Sequence, residues 1–169
     1  TELVQNGWIG GAGGPMGPDP RELAESDLII VWGGNPVSTQ VNVMAHISRA
    51  RKDRGAKLVV IDAYQSPTAE VADDVLLVQP GTDGAVACAI MHVLFRDGLA
   101  DEPYMEKYTD NWRELKEHLQ DKTPVWAEKI SGVSCQKIEA LAREIGKTER
   151  TYIRICLLYT SPSPRDTAL

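Results

Sequence analysis

Three short strings, in this order, constrain the chain more than anything else in it: Trp32-Gly33-Gly34-Asn35-Pro36, Val60-Ile61-Asp62-Ala63-Tyr64 and Gln79-Pro80-Gly81-Thr82-Asp83-Gly84. Each follows an apolar run that reads as a strand, and the first and third each precede a helix. Residues 28–32 form a continuous, β-branched-rich run, the pattern of a strand covered on both faces. Residues 57–61 and 75–78 read as the second and third strands. Helices between strands give right-handed β-α-β units and a parallel sheet. Ligands bind such sheets outside the carboxyl ends of the strands, where all three strings fall. The layout points to a bulky, phosphate-bearing cofactor rather than to a catalytic side chain.

The residue types at those ends suit that chemistry. Gly33 and Gly34 let the backbone turn sharply and approach a ligand. Asn35 both donates and accepts. Ser38 and Thr39 are expected at the next helix start, where free N–H groups favour phosphate. Asp62 occupies the place of an acid for ribose hydroxyls. Thr82 offers a hydroxyl, and Asp83 can accept two N–H donors from a base such as guanine. Trp32, alone among the four tryptophans, falls at a strand end. Taken singly, the glycines also read as plain turn residues, Asp62 as a surface cap and Thr82-Asp83 as an N-cap pair.

The remainder alternates in step with this frame. Asp19 reads as an N-cap with Pro20 at the first helical position and Glu22 three residues after the cap. A helix is expected over 38–54, with Val43, Met44, Ile47 and Ala50 inward and Gly55 ending it. Residues 62–73 read as a turn with one helical turn near Ala69. The helix expected over 84–96 is apolar on most faces, which calls for packing on the sheet and cover from another part of a larger protein. Shorter helices come next over 102–108, 112–119 and from Pro124, then a strongly periodic one over 136–145 stopped by Gly146. Residues 152–155 read as one more strand. The fold class is therefore α/β, a Rossmann-like parallel sheet with flanking helices and a helical C-terminal part.

Composition excludes several functions. A formal charge of −6 and no clean Lys/Arg cluster argue against a nucleic-acid-binding face. No apolar run approaches the ~20 residues that span a bilayer. The three cysteines form no C-x-x-C, so this stretch assembles neither an iron–sulfur nor a zinc site. His46, His92 and His118 have no ligand-like partner at helical spacing, and neither a catalytic residue nor a metal ligand is expected here.

The ends read differently from the body. Residues 1–18 are a Gly-rich loop segment. Residues 156–169, with Pro162 and Pro164, resemble a translated sequencing adapter and are expected to be a non-native tail. Without an initiator Met, Thr1 is expected to be a cut edge, and 19–155 a partial cofactor-binding α/β domain.

The stretch Asp19-Pro20-Arg21-Glu22-Leu23-Ala24-Glu25-Ser26-Asp27-Leu28-Ile29-Ile30-Val31-Trp32-Gly33-Gly34-Asn35-Pro36 resembles the molybdopterin oxidoreductases, which include formate dehydrogenases, nitrate reductases and dimethyl sulfoxide reductase. Val60-Ile61-Asp62 with Thr68-Ala69-Glu70-Val71-Ala72-Asp73, and Pro80-Gly81-Thr82-Asp83-Gly84-Ala85, are similar to that family's next two cofactor-contact segments, in order. The resemblance covers about 19–155. It implies a bis(molybdopterin guanine dinucleotide) carrying molybdenum or tungsten, in a formate dehydrogenase-like subunit. Gly33, Asn35, Ser38 and Thr39 would contact pyrophosphate or pterin, with Trp32, Gly34 and Pro36 in the same loop. Asp62, Thr82 and Asp83, with Gly81, would hold the guanosine end. Where the family reads Asp-Pro-x-x-Thr-x-Thr-Ala, this chain has Asp62-Ala63-Tyr64-Gln65-Ser66-Pro67-Thr68-Ala69, without the frequent Arg. The resemblance further implies a small-molecule substrate, an electron-transfer partner and a 4Fe-4S cluster upstream; a cytoplasmic location is a separate expectation. Two other classes fit the residues alone: the middle domain of a thiamine-diphosphate enzyme, and a non-enzymatic nucleotide-binding module.

Overall fold

The computed structural model describes residues 18–155, so the Gly-rich segment before Pro18 and the tail 156–169 lie outside the described residues. The chain divides into two compact units, one comprising described residues 18–75 and 150–155 and the other 76–149. The strands β1 (Leu28–Trp32), β2 (Lys57–Asp62), β3 (Asp74–Leu77) and β4 (Thr151–Ile155) form one sheet in the order β3-β2-β1-β4. β1 pairs in parallel with both β2 and β4. This is the expected α/β architecture, with the strand after the last helix inserted beside the first.

In the first unit the chain enters through a 3-10 helix, Pro20–Glu25, capped by the Asp19 carboxylate on the Arg21 N–H at 2.9 Å. Arg21 also pairs with that carboxylate, which lowers its pKa to about 2. The expected helix over 38–54 is two helices, α1 (Pro36–Thr39) and α2 (Val41–Arg54). The break is at Gln40, with φ −145° and ψ 61°. Its carbonyl accepts from Val43 and Met44, so α2 starts afresh. Its side-chain oxygen is held by the Arg154 guanidinium, with Nε at 3.0 Å. Gly55, at φ +70°, closes α2 in the left-handed conformation that favours glycine.

The core of this unit follows the period of two in the strands. Ile29, Leu58 and Tyr152 are register partners, and with Val31 and Val60 they form one buried face. Leu23, Val43, Ile47 and Ala50 belong to the same cluster, and Met44 is partly buried against it. Leu28, Ile30, Val59 and Ile61 are buried as well, as a continuous apolar run requires. Burial pushes the Tyr152 phenol above its ordinary pKa, and its hydroxyl donates to the Pro18 carbonyl at 3.3 Å. Asp73 staples the amino end of β2: its Oδ2 accepts from Leu58 N at 2.8 Å and its Oδ1 from Arg51 at 2.8 Å. The single turn expected near Ala69 is α3 (Pro67–Glu70), capped by the Ser66 hydroxyl.

The second unit is helical: α4 (Asp83–Arg96), α5 (Glu102–Tyr108), α6 (Trp112–His118), α7 (Pro124–Ser131) and α8 (Cys135–Lys147). α4 buries Ala85, Val86, Ala89, Ile90 and Val93, and it packs against α7 and α8. The apolar helix thus finds cover inside its own unit, which its sequence alone did not reveal. Trp112 stacks on Phe95 with centroids 6.5 Å apart and donates to Glu106 at 2.8 Å. His92 Nδ1 donates to the Leu119 carbonyl at 2.8 Å, a packing role. α8 runs through Gly146, expected to stop it, because that glycine serves close packing: a Cβ there would lie 2.6 Å from Leu99 Cβ. Among the described residues no helix is long and apolar enough to cross a membrane.

Asp97 ties α4 to α8. It accepts from Arg96 and from Arg143, each at 2.8 Å, and these hydrogen bonds lower its pKa from 3.8 to about 2. Glu139, paired with the same arginines, is also lowered, chiefly by its hydrogen bond to Arg96. A depressed folded-state pKa stabilises the fold above the unfolded value and loses that contribution as pH falls through the folded value. Acid titration of stability should therefore show a contribution from Asp97 that is complete above 3.8 and fades toward 2. Asp97→Asn should remove that part of the slope and leave the shape of the profile above pH ~5 unchanged.

Candidate functional site

The loop after β1 is built around a reversal that only its glycine permits without strain. Gly33 has φ +63° and donates its N–H to the Ile61 carbonyl at 2.8 Å, extending the pairing with β2 by one bond. This sets buried Gly33 beside Asp62 at the carboxyl end of the neighbouring strand. Trp32 and Gly34 are half-buried on either side of it, and Pro36 is buried at the first position of α1.

Asn35 organises the first turn of α1. Its carbonyl accepts from Ser38 N at 3.1 Å, Thr39 N at 3.0 Å and Thr39 Oγ1 at 2.9 Å. Its amide Nδ2 donates to Ser38 Oγ at 3.1 Å. Its Oδ1 accepts from the hydroxyl of Thr68 at 2.8 Å, and Thr68 Oγ1 in turn accepts from Val37 N at 3.1 Å. The expectation of free N–H groups at Ser38 and Thr39 is corrected here. The helix begins at Pro36, which has no N–H, and the next amides are bonded to Thr68 and to Asn35. Ser38 and Thr39 are exposed, and they offer their side chains rather than a row of amides.

Asp62 ends β2 and is buried, with its Oδ1 accepting from the Ala63 N–H at 2.7 Å. That excludes the surface-cap reading of this residue. Two residues not singled out from the sequence join the same edge. Thr68 is fully buried and locks the Asn35 loop to α3. Arg154, paired in register with Val31, carries a guanidinium to the carboxyl end of the sheet at Gln40. A threonine within the Thr68–Asp73 segment was a visible signal for the first. The second required knowing that the last strand lies beside β1.

The Gly81 string forms its own patch in the second unit. Thr82 N bonds the Gln79 carbonyl at 3.1 Å across Pro80-Gly81, with Gly81 at φ +81°, the residue order of a type II turn. The turn is anchored by Gln79 N on the Ser131 carbonyl at 2.9 Å. Thr82 Oγ1 donates to the Gln79 carbonyl at 2.6 Å, so its proton is committed and its lone pairs are what it offers a ligand. Asp83 opens α4, half-buried. A Cβ placed at Gly81 or Gly84 would meet no protein atom within 4 Å, so the backbone here is open to approach. Among the described residues no group of three or more metal-ligating side chains gathers.

A comparison of the whole sequence with protein families decides between the readings: the molybdopterin oxidoreductase pattern matches residues 10–151. The chain belongs to the molybdopterin oxidoreductase family. It is 42% identical over 139 residues to the probable oxidoreductase YoaE of Bacillus subtilis, covering 82% of this chain and 20% of that protein. It is 35% identical over 144 residues to the F420-dependent formate dehydrogenase 1 subunit alpha of Methanococcus maripaludis, covering 85% of this chain and 21% of that one. The probable dimethyl sulfoxide reductase chain YnfF of Escherichia coli is 34% identical over 160 residues, covering 81% and 20%. Among solved structures, acetylene hydratase from Pelobacter acetylenicus matches with a TM-score of 0.68 and 25% identity, over 78% of this chain and 18% of that one. The chain thus spans about one fifth of the length of these curated relatives. Membership accords with the first expectation, not with the thiamine-diphosphate domain or the stand-alone nucleotide module.

Proposed function

We propose that this chain holds the pyrophosphate and guanosine portions of a bis(molybdopterin guanine dinucleotide) carrying molybdenum or tungsten. The observation that carries the reading is left-handed Gly33, bonded through its N–H to the Ile61 carbonyl, at the carboxyl end of β1 with buried Asp62 at the carboxyl end of the adjacent parallel strand. The donor set suits such a group. Asn35 offers an amide N–H and Ser38 a hydroxyl proton to phosphate oxygens, while Thr39, whose proton is on the Asn35 carbonyl, joins Trp32, Gly34 and Pro36 in shaping the loop. Arg154 brings the positive charge that the segment 63–67 lacks. Asp62 accepts from ribose hydroxyls. In the second unit, Asp83 accepts from the two N–H groups on one edge of guanine, and Thr82 and Gly81 let that edge approach.

When bound, such a cofactor supplies the metal at which a small substrate is oxidised or reduced, while the protein binds and orients it. The relatives named as oxidoreductases support that activity for the whole protein, and their length leaves room for a 4Fe-4S cluster and a contact to an electron-transfer partner outside this chain. The substrate reading is formate dehydrogenase-like, supported by the formate dehydrogenase relative. The sulfoxide reductase reading stands beside it, because that relative is of nearly equal identity.

Calorimetric titration with GDP, IDP and ADP tests the binding role. GDP is expected to bind more tightly than IDP, which lacks the 2-amino group, and far more tightly than ADP. Hydrogen bonds to a charged group are worth about 1.5–3 kcal/mol, so Asp83→Asn should weaken GDP about 10- to 100-fold and narrow its lead over IDP. Equal affinity for GDP and ADP, or none for GDP, would overturn the reading.

A further inference from the structure

We propose that Thr68 is a positioning residue that fixes the side-chain amide of Asn35 for a phosphate-bearing ligand; this rests on the reading above. Thr68 is fully buried, and its hydroxyl makes one bond of each kind. It donates to Asn35 Oδ1 at 2.8 Å and accepts from Val37 N at 3.1 Å. Asn35 lies 33 residues away in sequence, so this is a tertiary clasp between the β1 and β2 loops and not local turn chemistry.

The clasp determines which end of the amide faces which way. The hydroxyl has one proton, and the Val37 N–H already requires its oxygen as acceptor. With Oδ1 toward Thr68, the proton is used. With the amide reversed, Nδ2 would face the same oxygen and the buried proton would have no acceptor. The observed arrangement leaves Nδ2 on the Ser38 side, where one N–H reaches Ser38 Oγ at 3.1 Å. The NH2 group has a second N–H, and it belongs to the loop side that carries Ser38 and Thr39. Thr68 therefore sets an amide donor, rather than an amide oxygen, toward an anionic ligand. The same bond network holds Val37 N and Thr39 Oγ1 in place, so the hydroxyls of α1 are presented in one arrangement.

A double-mutant cycle on GDP affinity tests this, using the chain with Thr68→Val, Thr68→Ser, Asn35→Ala and the Asn35→Ala/Thr68→Val pair. Valine keeps the shape of threonine and removes the hydroxyl, whereas serine keeps the hydroxyl. Affinities are compared at a temperature where circular dichroism shows every variant folded. Thr68→Val should weaken GDP about tenfold, and Thr68→Ser should stay within about threefold of the parent. Thr68→Val should cost nothing further once Asn35 is alanine. In nitrogen–proton spectra, the paired Asn35 side-chain amide resonances should shift in Thr68→Val and stay near their original place in Thr68→Ser. If the parent binds GDP while Thr68→Val binds equally well, or the two substitutions add fully, the positioning role is overturned and the binding role stands. If the parent itself does not bind GDP, the binding role falls, and the proposal for Thr68 falls with it.

Discussion

Replacing Ile29 by alanine is expected to destabilise the chain by about 2–5 kcal/mol, the range for truncating a large aliphatic side chain in a packed core. Ile29 is fully buried in β1, the strand that pairs with both β2 and β4. Its register partners, Leu58 and Tyr152, are buried on the same face. A cavity there is bordered by backbone ladders on both sides, which cannot collapse into it without breaking hydrogen bonds. Ile29→Val should therefore cost only about 0.5–1.5 kcal/mol. Urea unfolding followed by circular dichroism gives both values from the shift in midpoint. A loss below about 1 kcal/mol for Ile29→Ala would mean that this face is not packed as described.

The second large effect is expected at Gly146. A Cβ at this position would lie 2.6 Å from Leu99 Cβ, 2.9 Å from Leu99 Cδ1 and 3.0 Å from Leu94 Cδ2. Glycine in a helix interior normally costs stability relative to alanine, so on propensity alone Gly146→Ala should help by about 1 kcal/mol. The contact outweighs that gain. The nearest atom is a Cβ, which moves only with its backbone, and Leu99 is held by its N–H on the Leu94 carbonyl at 2.8 Å. Overpacking of this kind costs about 1–3 kcal/mol. Gly146→Ala should lower the unfolding midpoint, and Leu99→Ala in the same chain should recover part of the loss by removing Cδ1. A stabilised Gly146→Ala would show that the helix is free to move away from Leu99.

The same residue marks where reading the sequence fell short. Glycine after a periodic run is the usual sign of a helix end, and Gly55 fits that rule, with φ +70° at the end of α2. Gly146 has the same local context but a different cause, the distant neighbour Leu99. The break at Gln40 is a similar case. The sequence 38–54 is compatible with one helix, and the division arises from the Asn35 carbonyl on one side and Arg154 on the other.

At the candidate site, the strand ends and the turn at Gly33 were legible because each is a local consequence of residue type, an apolar run and a turn that needs positive φ, whereas the burial of Asp62, which by sequence also fitted a surface cap, was not. Nor were the amide partners of α1. Ser38 and Thr39 look like a phosphate-ready helix start until Thr68 and the Asn35 carbonyl are seen to take the N–H groups.

The sequence by itself determined the alternation of strand and helix, the parallel sheet and the membership in the molybdopterin oxidoreductase family, because hydrophobic period and turn chemistry are written in neighbouring residues. Only the tertiary structure decided that β4 pairs with β1, that Arg154 reaches the carboxyl edge, that α7 and α8 cover α4, and that Thr68 clasps Asn35. Each of these joins residues far apart in the chain. Such contacts are selected by packing and by the need to satisfy buried polar groups, and neither leaves a periodic mark in the sequence.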